Sequence, residues 1–322
     1  MQDHNTRRLF IVGVGRSGTS LLQSMLNAHP RICFPPETSF IRRFLVTDSL
    51  RRMWEDDPGS VAKVLGDDEL IGRLALDEGA IDSILSSLGG AFSVVELYVR
   101  LLEAYAAEAG KADAAWIGDK DPRSVEYLPL IHRCFPEARI LHIIRDPRDV
   151  LASKKKAAWS KNQSSFRHVF ANRVQLKMGR EQGRRLFGPN YMEFAYEELL
   201  GNANRVLTRI SRLLDLDFHP AMLEFSDSSK RLVSQDEMQW KKETLGPLLA
   251  TNSGKWKDSL ASWETALTER VCGEAFRAMN YEKEAGRCGL RLTERLLLPA
   301  AQVLMAASDP IYRLYRKIRV AK

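Results

Sequence analysis

The sequence predicts an α/β fold in which helices flank a central parallel sheet. Short apolar runs alternate with helical segments along the chain, as they do where helices connect parallel strands. A glycine-rich loop at residues 13–20 lies between the first apolar run and the first helical segment. The length of 322 residues and the hydrophobic fraction of 44% suffice for one such domain with an inserted segment.

The elements follow one another in a definite order. Strands are expected at residues 9–14, 116–118, 139–144 and 191–195, and helices at residues 18–28 and 197–214. A further helix should begin after Asp146, which can cap it, with Pro147 in the first helical position. We therefore expect a single domain over residues 1–322, with a helical insertion at about 50–115 and an amphipathic basic extension at about 287–322.

Composition narrows the function classes. The net charge of +7 suits anionic ligands. The sequence has no basic stripe with interleaved aromatic residues, which disfavours nucleic acid as the ligand. The four cysteines, Cys33, Cys134, Cys272 and Cys288, lie far apart without metal-ligand spacing, so reduced thiols and no metal site are expected. Neither a signal peptide nor an apolar run of about 18 residues is present, and a cytoplasmic location is expected.

The loop at residues 13–20 has the glycine spacing of a nucleotide-binding P-loop, with one departure. Its position between a strand and a helix lets backbone N–H groups and the helix dipole bind an anion. Thr19 stands where nucleotide triphosphatases carry the lysine that reaches the β- and γ-phosphates, and Arg16 lies inside the loop instead. This loop is therefore predicted to bind a different anion from the triphosphate of ATP.

A second anion site is predicted from Arg145 and Ser153. Arg145 follows a strong strand, at the carboxyl end where open α/β sheets bind ligands. Ser153 lies about two turns into the next helix, so both side chains could meet one phosphate. The alternative for Arg145 is a surface ion pair with Asp146 or Asp149. Residues 154–156, three lysines, are expected to form a solvated helix face.

The segments at residues 10–22 and 143–153 resemble the two phosphate-binding motifs of sulfotransferases that use 3′-phosphoadenosine-5′-phosphosulfate (PAPS), in particular a bacterial branch similar to tyrosylprotein sulfotransferases. The resemblance implies a 5′-phosphosulfate loop and a 3′-phosphate site. The residues implied to bind the donor in these two motifs are Gly15, Arg16, Ser17, Gly18, Thr19, Ser20, Arg145 and Ser153.

The same resemblance implies the catalytic residues. Glu37, after two prolines that stiffen the backbone, would be the general base toward an acceptor hydroxyl. Lys120, in a Lys-Asp-Pro motif, would stabilise charge on the leaving oxygen, and Arg16 would assist at the sulfuryl group. Tyr196 resembles a nucleotide contact, and Lys255 with Trp256 resembles a late loop that closes over the donor.

Two rival functions stay open on the sequence: a P-loop kinase that uses ATP and Mg²⁺, and a non-catalytic nucleotide-binding protein. The missing P-loop lysine disfavours the first, and the presence of Glu37 and Lys120 disfavours the second. A sugar, a lipid, a small phenol and a peptide tyrosine all remain acceptor candidates. The basic tail could pack on the enzyme or on a second subunit, which is favoured, or could lie on an anionic membrane.

Overall fold

A computed structural model describes residues 7–158, 160, 162–226, 232, 252–284 and 290–321, and it places five parallel strands in one sheet. For Ala91, Arg313 and residues 315–321 the description covers the backbone alone. The strand order is β2-β3-β1-β4-β5. The strands are β1 Arg7–Gly13, β2 Ile32–Cys33, β3 Trp116–Lys120, β4 Arg139–Ile144 and β5 Tyr191–Ala195. The predicted central parallel sheet is confirmed.

Helices connect and cover these strands. The α-helices of the described residues are α1 Thr19–Asn27, α2 Ser49–Asp56, α3 Pro58–Gly66, α4 Glu69–Gly72, α5 Ala80–Leu88, α6 Val94–Glu108, α7 Leu128–Cys134, α8 Pro147–Lys156, α9 Ser165–Phe187, α10 Tyr196–Gly201, α11 Ala203–Leu213, α12 Ser262–Val271, α13 Gly273–Met279 and α14 Leu292–Ala321. Shorter turns are π-helical at Ile41–Leu45 and 3₁₀-helical at Gly89–Ala91, Pro122–Glu126, Gly188–Asn190, Pro220–Leu223 and Lys255–Asp258.

The central strand β1 is buried on both faces from Leu9 onward, which explains the uninterrupted apolar sequence of that part of the strand. Leu9 and Ile11 point into a core shared with α1 and α11, while Phe10 and Val12 point into a second core shared with the inserted helices. Side chains alternate along a strand, so one short run of residues serves both layers. The result is a sheet enclosed by helices on both sides.

The helices α2 to α6 lie between β2 and β3, where the sequence indicated a helical insertion. The longest of them, α6, packs against the sheet through Leu97 and Leu101. Tyr98 of the same helix stacks on Phe40, with 4.9 Å between the ring centroids. The insertion thus rests directly beside the segment that follows β2.

Several expectations needed correction. The strand β2 was not predicted, because two residues are too few to show a periodic pattern. The helix expected over residues 197–214 is wrong as a single element: Asn202 separates α10 from α11, and its side chain accepts a 3.0 Å hydrogen bond from the Arg205 N–H. The start of α8 is as predicted, since the Asp146 carboxylate accepts from the Arg148 N–H at 2.9 Å.

Candidate active site

The loop between β1 and α1 is bent so that its backbone turns back on itself. Arg16 and Gly18 both have positive φ angles, 78° and 92°. A Cβ atom on Gly18 would lie 2.3 Å from the Tyr196 ring. The position therefore requires glycine for two reasons: the positive φ angle and the lack of room for a side chain. Gly18 then caps α1 without a side-chain hydrogen bond. Because the first N–H groups of an α-helix have no acceptor within the helix, the start of α1 beside this loop suits an anion.

The two anion sites predicted from separate motifs adjoin each other. The Arg16 Nε donates to the Ser153 Oγ at 2.9 Å, which joins the first loop to α8. The Arg145 Nη1 donates to the Arg16 carbonyl oxygen at 3.2 Å, which joins the loop to the end of β4. Residues that lie about 130 positions apart in sequence therefore form one cationic surface at the carboxyl edge of the sheet.

Arg145 is held on three sides and is 8% exposed. Its guanidinium carbon lies 4.7 Å from the centroid of the Tyr196 ring, and its Nη2 donates to the Asn252 carbonyl oxygen at 2.7 Å. Its Nε is buried and has no hydrogen-bond partner. A buried guanidinium donor without an acceptor is costly unless a ligand supplies one. Of the ion pairs considered for Arg145, the one with Asp149 is present at 4.0 Å between Nη2 and Oδ2, and both side chains are buried rather than on the surface.

The segment that carries Lys255 and Trp256 is tied to the start of α8. The Asp149 carboxylate accepts from the Gly254 N–H at 2.7 Å and from the Trp256 N–H at 3.0 Å. The guanidinium carbon of Arg148 lies 3.9 Å from the centroid of the Trp256 ring. Burial raises the pKa of the Asp149 carboxyl, and Arg145 opposes that shift. One short stretch of α8 thus fixes the late segment beside Arg145.

Glu37 and Lys120 form an ion pair on the other side of the loop. Lys120 is the last residue of β3, and its side chain is 1% exposed, whereas that of Glu37 is 25% exposed. The Lys120 Nζ donates to the Glu37 Oε2. The backbone before Glu37 is anchored to α1, because the Gln23 Nε2 donates to the Pro35 carbonyl oxygen at 2.7 Å. Lys120 was weighed as a solvent-exposed charge, and that alternative is wrong.

Two further carboxyls flank Lys120 along the chain. The buried Asp119 accepts a hydrogen bond from the Tyr98 hydroxyl of α6, and burial raises its pKa to about 7. Burial also raises the pKa of Asp121, with a further contribution from Glu37, while Arg42 opposes the shift from 3.5 Å away. Glu37, Lys120, Asp119 and Asp121 together are called the acid cluster below.

Strand register brings the donor loop and the acid cluster to the same edge. β1 lies between β3 and β4, with Ile11 beside Lys120 and Gly13 beside Ile143. Because the strands are parallel, Lys120, the loop after Gly13, and Arg145 all emerge at the carboxyl edge, with the loop in the middle. Every residue predicted to belong to the site, from Gly15 to Trp256, lies within the described part of the chain.

Several residues outside the predicted anion sites and the acid cluster are also buried. The solvated face expected at residues 154–156 is wrong for Lys154, which is 6% exposed and whose pKa burial lowers to about 8. His142 is fully buried and its Nδ1 pairs with the Tyr191 hydroxyl at 2.7 Å. Cys33, Cys134 and Cys272 are free thiols, and Cys288 lies outside the described residues.

Sequence reasoning missed residues that shape the site. Asp149 was considered only as an ion-pair partner of Arg145, although it orders the segment around Gly254. Neither Asp119 nor Tyr98 was given a role. A signal existed for Asp119, since two carboxyls flank a lysine at the end of an otherwise apolar segment. Among the described residues, no cluster of three or more metal-ligating side chains is present.

The five-stranded parallel sheet places the predicted anion sites at its carboxyl edge, and comparison with known proteins identifies the family. The model described as Sulfotransferase family matches residues 8–220, more than half of the chain. The chain belongs to the sulfotransferase family.

Individual relatives agree with this assignment. Human protein-tyrosine sulfotransferase 1 is 34% identical over 141 residues, which cover 44% of this chain and 31% of the human protein. The putative protein-tyrosine sulfotransferase of Caenorhabditis briggsae is 27% identical over 224 residues, 67% of this chain and 68% of that protein. This chain therefore spans about a third of the human relative's length.

Solved structures share the fold. The sulfotransferase domain from the curacin biosynthetic pathway superposes with a TM-score of 0.60 at 17% identity, covering 86% of this chain and 98% of that domain. The sulfotransferase domain of the Synechococcus PCC 7002 olefin synthase gives a TM-score of 0.58 at 21% identity, covering 80% of this chain and 90% of that domain.

Proposed function

We propose that this chain transfers a sulfuryl group from PAPS to an acceptor hydroxyl. The observation that carries the proposal is the pair of adjoining cationic sites beside the Lys120–Glu37 ion pair, all at one edge of the sheet. A donor with both a 5′-phosphosulfate and a 3′-phosphate needs two such sites, and ATP needs one. Family membership gives the reaction class its independent support.

The residues present fit PAPS. The loop backbone from Gly13 to Ser20 with Arg16 would hold the 5′-phosphosulfate, and Arg145 with Ser153 would hold the 3′-phosphate. The unpaired Nε of Arg145 is a donor ready for a phosphate oxygen. Tyr196, Lys255 and Trp256 lie beside these groups and would contact the nucleotide.

Bound there, PAPS supplies an activated sulfuryl group, whose bond from sulfur to the nucleotide oxygen breaks as a bond to the acceptor oxygen forms. Glu37 would accept the acceptor's proton, because its carboxylate is part-exposed and positioned by the anchored prolines. Lys120 would face the oxygen on which charge develops, and Arg16 would face the sulfuryl oxygens. Lys120 contacts Glu37 directly, so the proton acceptor and the leaving-group cation are neighbours.

For the acceptor, we propose a phenolic hydroxyl, with peptide tyrosine as the first candidate. The named relatives are protein-tyrosine sulfotransferases, and their similarity to this chain supports that choice. Sugars and lipids are the competing acceptors. The cytoplasm, where nucleotide donors are made, is the proposed compartment.

Calorimetric titration tests the donor site. Adenosine 3′,5′-bisphosphate, the product nucleotide, should bind far more tightly than AMP, and it should do so in EDTA. A charge-assisted hydrogen bond contributes about 1.5–3 kcal/mol. The preference for adenosine 3′,5′-bisphosphate over AMP should therefore fall roughly ten- to a hundredfold in Arg145→Ala. Arg185→Ala, which removes an exposed arginine near the opposite edge of the sheet, is the matched control and should keep the full preference.

Equal affinity of the wild-type protein for the two nucleotides would contradict the donor assignment, and tighter binding of Mg·ATP would favour the kinase. Turnover is tested separately with ³⁵S-labelled PAPS and tyrosine peptides, sugars and lipids as acceptors. Label transfer to none of them, with intact nucleotide binding, would support the non-catalytic alternative.

A further inference from the structure

The C-terminal helix α14 is attached to the body of the protein by one of its faces. Leu298 and Met305 are buried, at 4% and 9% exposure, in a core shared with α9 and α12. Asp309 is also buried and pairs with Arg173 at 2.8 Å and with Lys177 at 3.5 Å. The expectation that the tail packs on the enzyme therefore describes one face of this helix.

The opposite face of α14 is apolar and exposed. Seven large aliphatic side chains, which we call the apolar stripe, are 59–74% exposed: Leu292, Leu296, Leu297, Val303, Leu304, Ile311 and Leu314. Among the described residues, the only other exposed large apolar side chains are Phe166 and Leu223, at 44% and 39% exposure. At roughly 100 Å² each, the seven expose about 700 Å², more than the few hundred Å² typical of a monomeric soluble protein.

The stripe continues onto the body of the protein. Leu297 and Leu304 also line an apolar groove of about 440 Å³ together with Phe166 and Trp263. The Phe166 and Trp263 rings stack with 5.7 Å between their centroids. The exposed apolar surface is thus one continuous region rather than scattered residues.

Positive charge accompanies this surface. From residue 290 onward the sequence contains seven basic residues, Arg291, Arg295, Arg313, Arg316, Lys317, Arg319 and Lys322, and two acidic residues. Asp309, one of the two, is already paired with Arg173 and Lys177, and no acidic residue follows it. An apolar face beside a basic helix end complements a layer whose interior is apolar and whose surface is anionic.

We propose that the apolar stripe docks this protein peripherally onto an anionic lipid surface. A second copy of the chain in parallel pairing is disfavoured, because it would bring the two basic helix ends together. An antiparallel pairing is tested by the oligomeric state below. Spanning the bilayer does not fit either, since no helix of the described residues is long and apolar enough to cross a membrane. The proposal does not depend on the proposed sulfuryl transfer.

Vesicle co-sedimentation tests the apolar contribution. The full chain should sediment with vesicles of phosphatidylglycerol and phosphatidylcholine, and much less with phosphatidylcholine alone. The triple variant Leu296→Ser, Val303→Ser, Leu304→Ser should bind at least about 100-fold more weakly, because three buried aliphatic contacts are lost. Leu223→Ser changes an exposed leucine outside the stripe and should bind as the wild type does.

Charge is tested by the triple variant Arg316→Gln, Lys317→Gln, Arg319→Gln and by added salt, each of which should weaken binding to the anionic vesicles. Thermal unfolding of every variant checks that the fold is kept. Two results would overturn the proposal: equal binding of wild-type and serine variants to the vesicles, or a lipid-free dimer that only the serine variant disrupts. The second result would assign the stripe to a second copy.

Discussion

Two regions at the same edge of the sheet differ in construction: the acid cluster, and the predicted donor side, which consists of Arg16, Arg145, Asp149, Ser153 and the segment around Gly254. On the donor side, many hydrogen bonds join a side chain to the backbone. Arg145 donates to the carbonyls of Arg16 and Asn252, and Asp149 accepts from two backbone N–H groups. In the acid cluster, side chains meet side chains. Lys120 pairs with Glu37, and Asp119 pairs with Tyr98.

We expect this difference to separate nucleotide binding from turnover. Backbone-defined anion sites hold a ligand in a fixed place and change little when charges titrate. A cluster of buried ionisable side chains responds strongly to the loss of one member, because each charge depends on its neighbours. We therefore expect changes in the acid cluster to lower the rate, and changes on the donor side to lower nucleotide affinity.

The largest expected effect is that of Glu37→Gln. Loss of a general base should lower kcat by about 10²–10⁴, while the affinity for adenosine 3′,5′-bisphosphate stays near that of the wild type. Steady-state turnover with the accepted acceptor, together with calorimetry, measures both quantities. Near-wild-type turnover would remove Glu37 from the catalytic assignment.

Lys120→Ala should lower kcat by about 10²–10³, with a smaller change in the KM for PAPS, since its contact strengthens as the leaving oxygen gains charge. Lys63→Ala, on an exposed face of the insertion, serves as the control and should leave both parameters unchanged. If only the KM rises, Lys120 binds substrate and transition state equally and belongs functionally to the donor side.

On the donor side, Asp149→Ala should weaken adenosine 3′,5′-bisphosphate binding by about tenfold and leave kcat at saturating donor nearly unchanged. The reason is that the N–H groups of Gly254 and Trp256 lose their shared acceptor, which loosens the segment carrying Lys255. Asp113→Ala removes an exposed carboxylate elsewhere and should have no effect. Tighter binding by Asp149→Ala would show instead that Asp149 opposes the phosphate at Arg145.

The smallest effect concerns pH and stability. Burial raises the pKa of Asp119 to about 7, above its value in the unfolded chain, so the protonated form favours folding. The stabilisation of the folded state by this protonated carboxyl is complete below about pH 4, the pKa of the group in the unfolded chain. It is lost as the pH rises through about 7, the pKa in the folded protein. The Tm of the wild type should therefore fall, relative to that of Asp119→Asn, between pH 5 and pH 8. Parallel Tm curves for the two proteins would contradict the buried carboxyl as the cause.

Much of the donor side was predictable because its signals are local. The glycine spacing around Gly15 and Gly18, and the strand that ends at Arg145, are visible in continuous stretches of sequence. The direct contact between Arg16 and Ser153 was not predictable, because it depends on how closely β1 and β4 pack. Asp149 was seen only as an ion-pair partner of Arg145, from which it lies 4.0 Å away. Its hydrogen bonds from the Gly254 and Trp256 N–H groups were not predictable, because those partners lie more than 100 residues away.

By itself, the sequence determined the α/β class, the parallel sheet and the positions of two motifs that are predicted to bind phosphate, because periodicity, capping residues and glycine spacing act over a few residues. Only the tertiary structure decided which charges are buried. Lys120 and Lys154 look like ordinary lysines in sequence and are enclosed in the fold, while seven aliphatic residues of α14 look like core and remain exposed. Burial depends on what packs from distant parts of the chain, and the energies of charges and apolar groups follow from that packing.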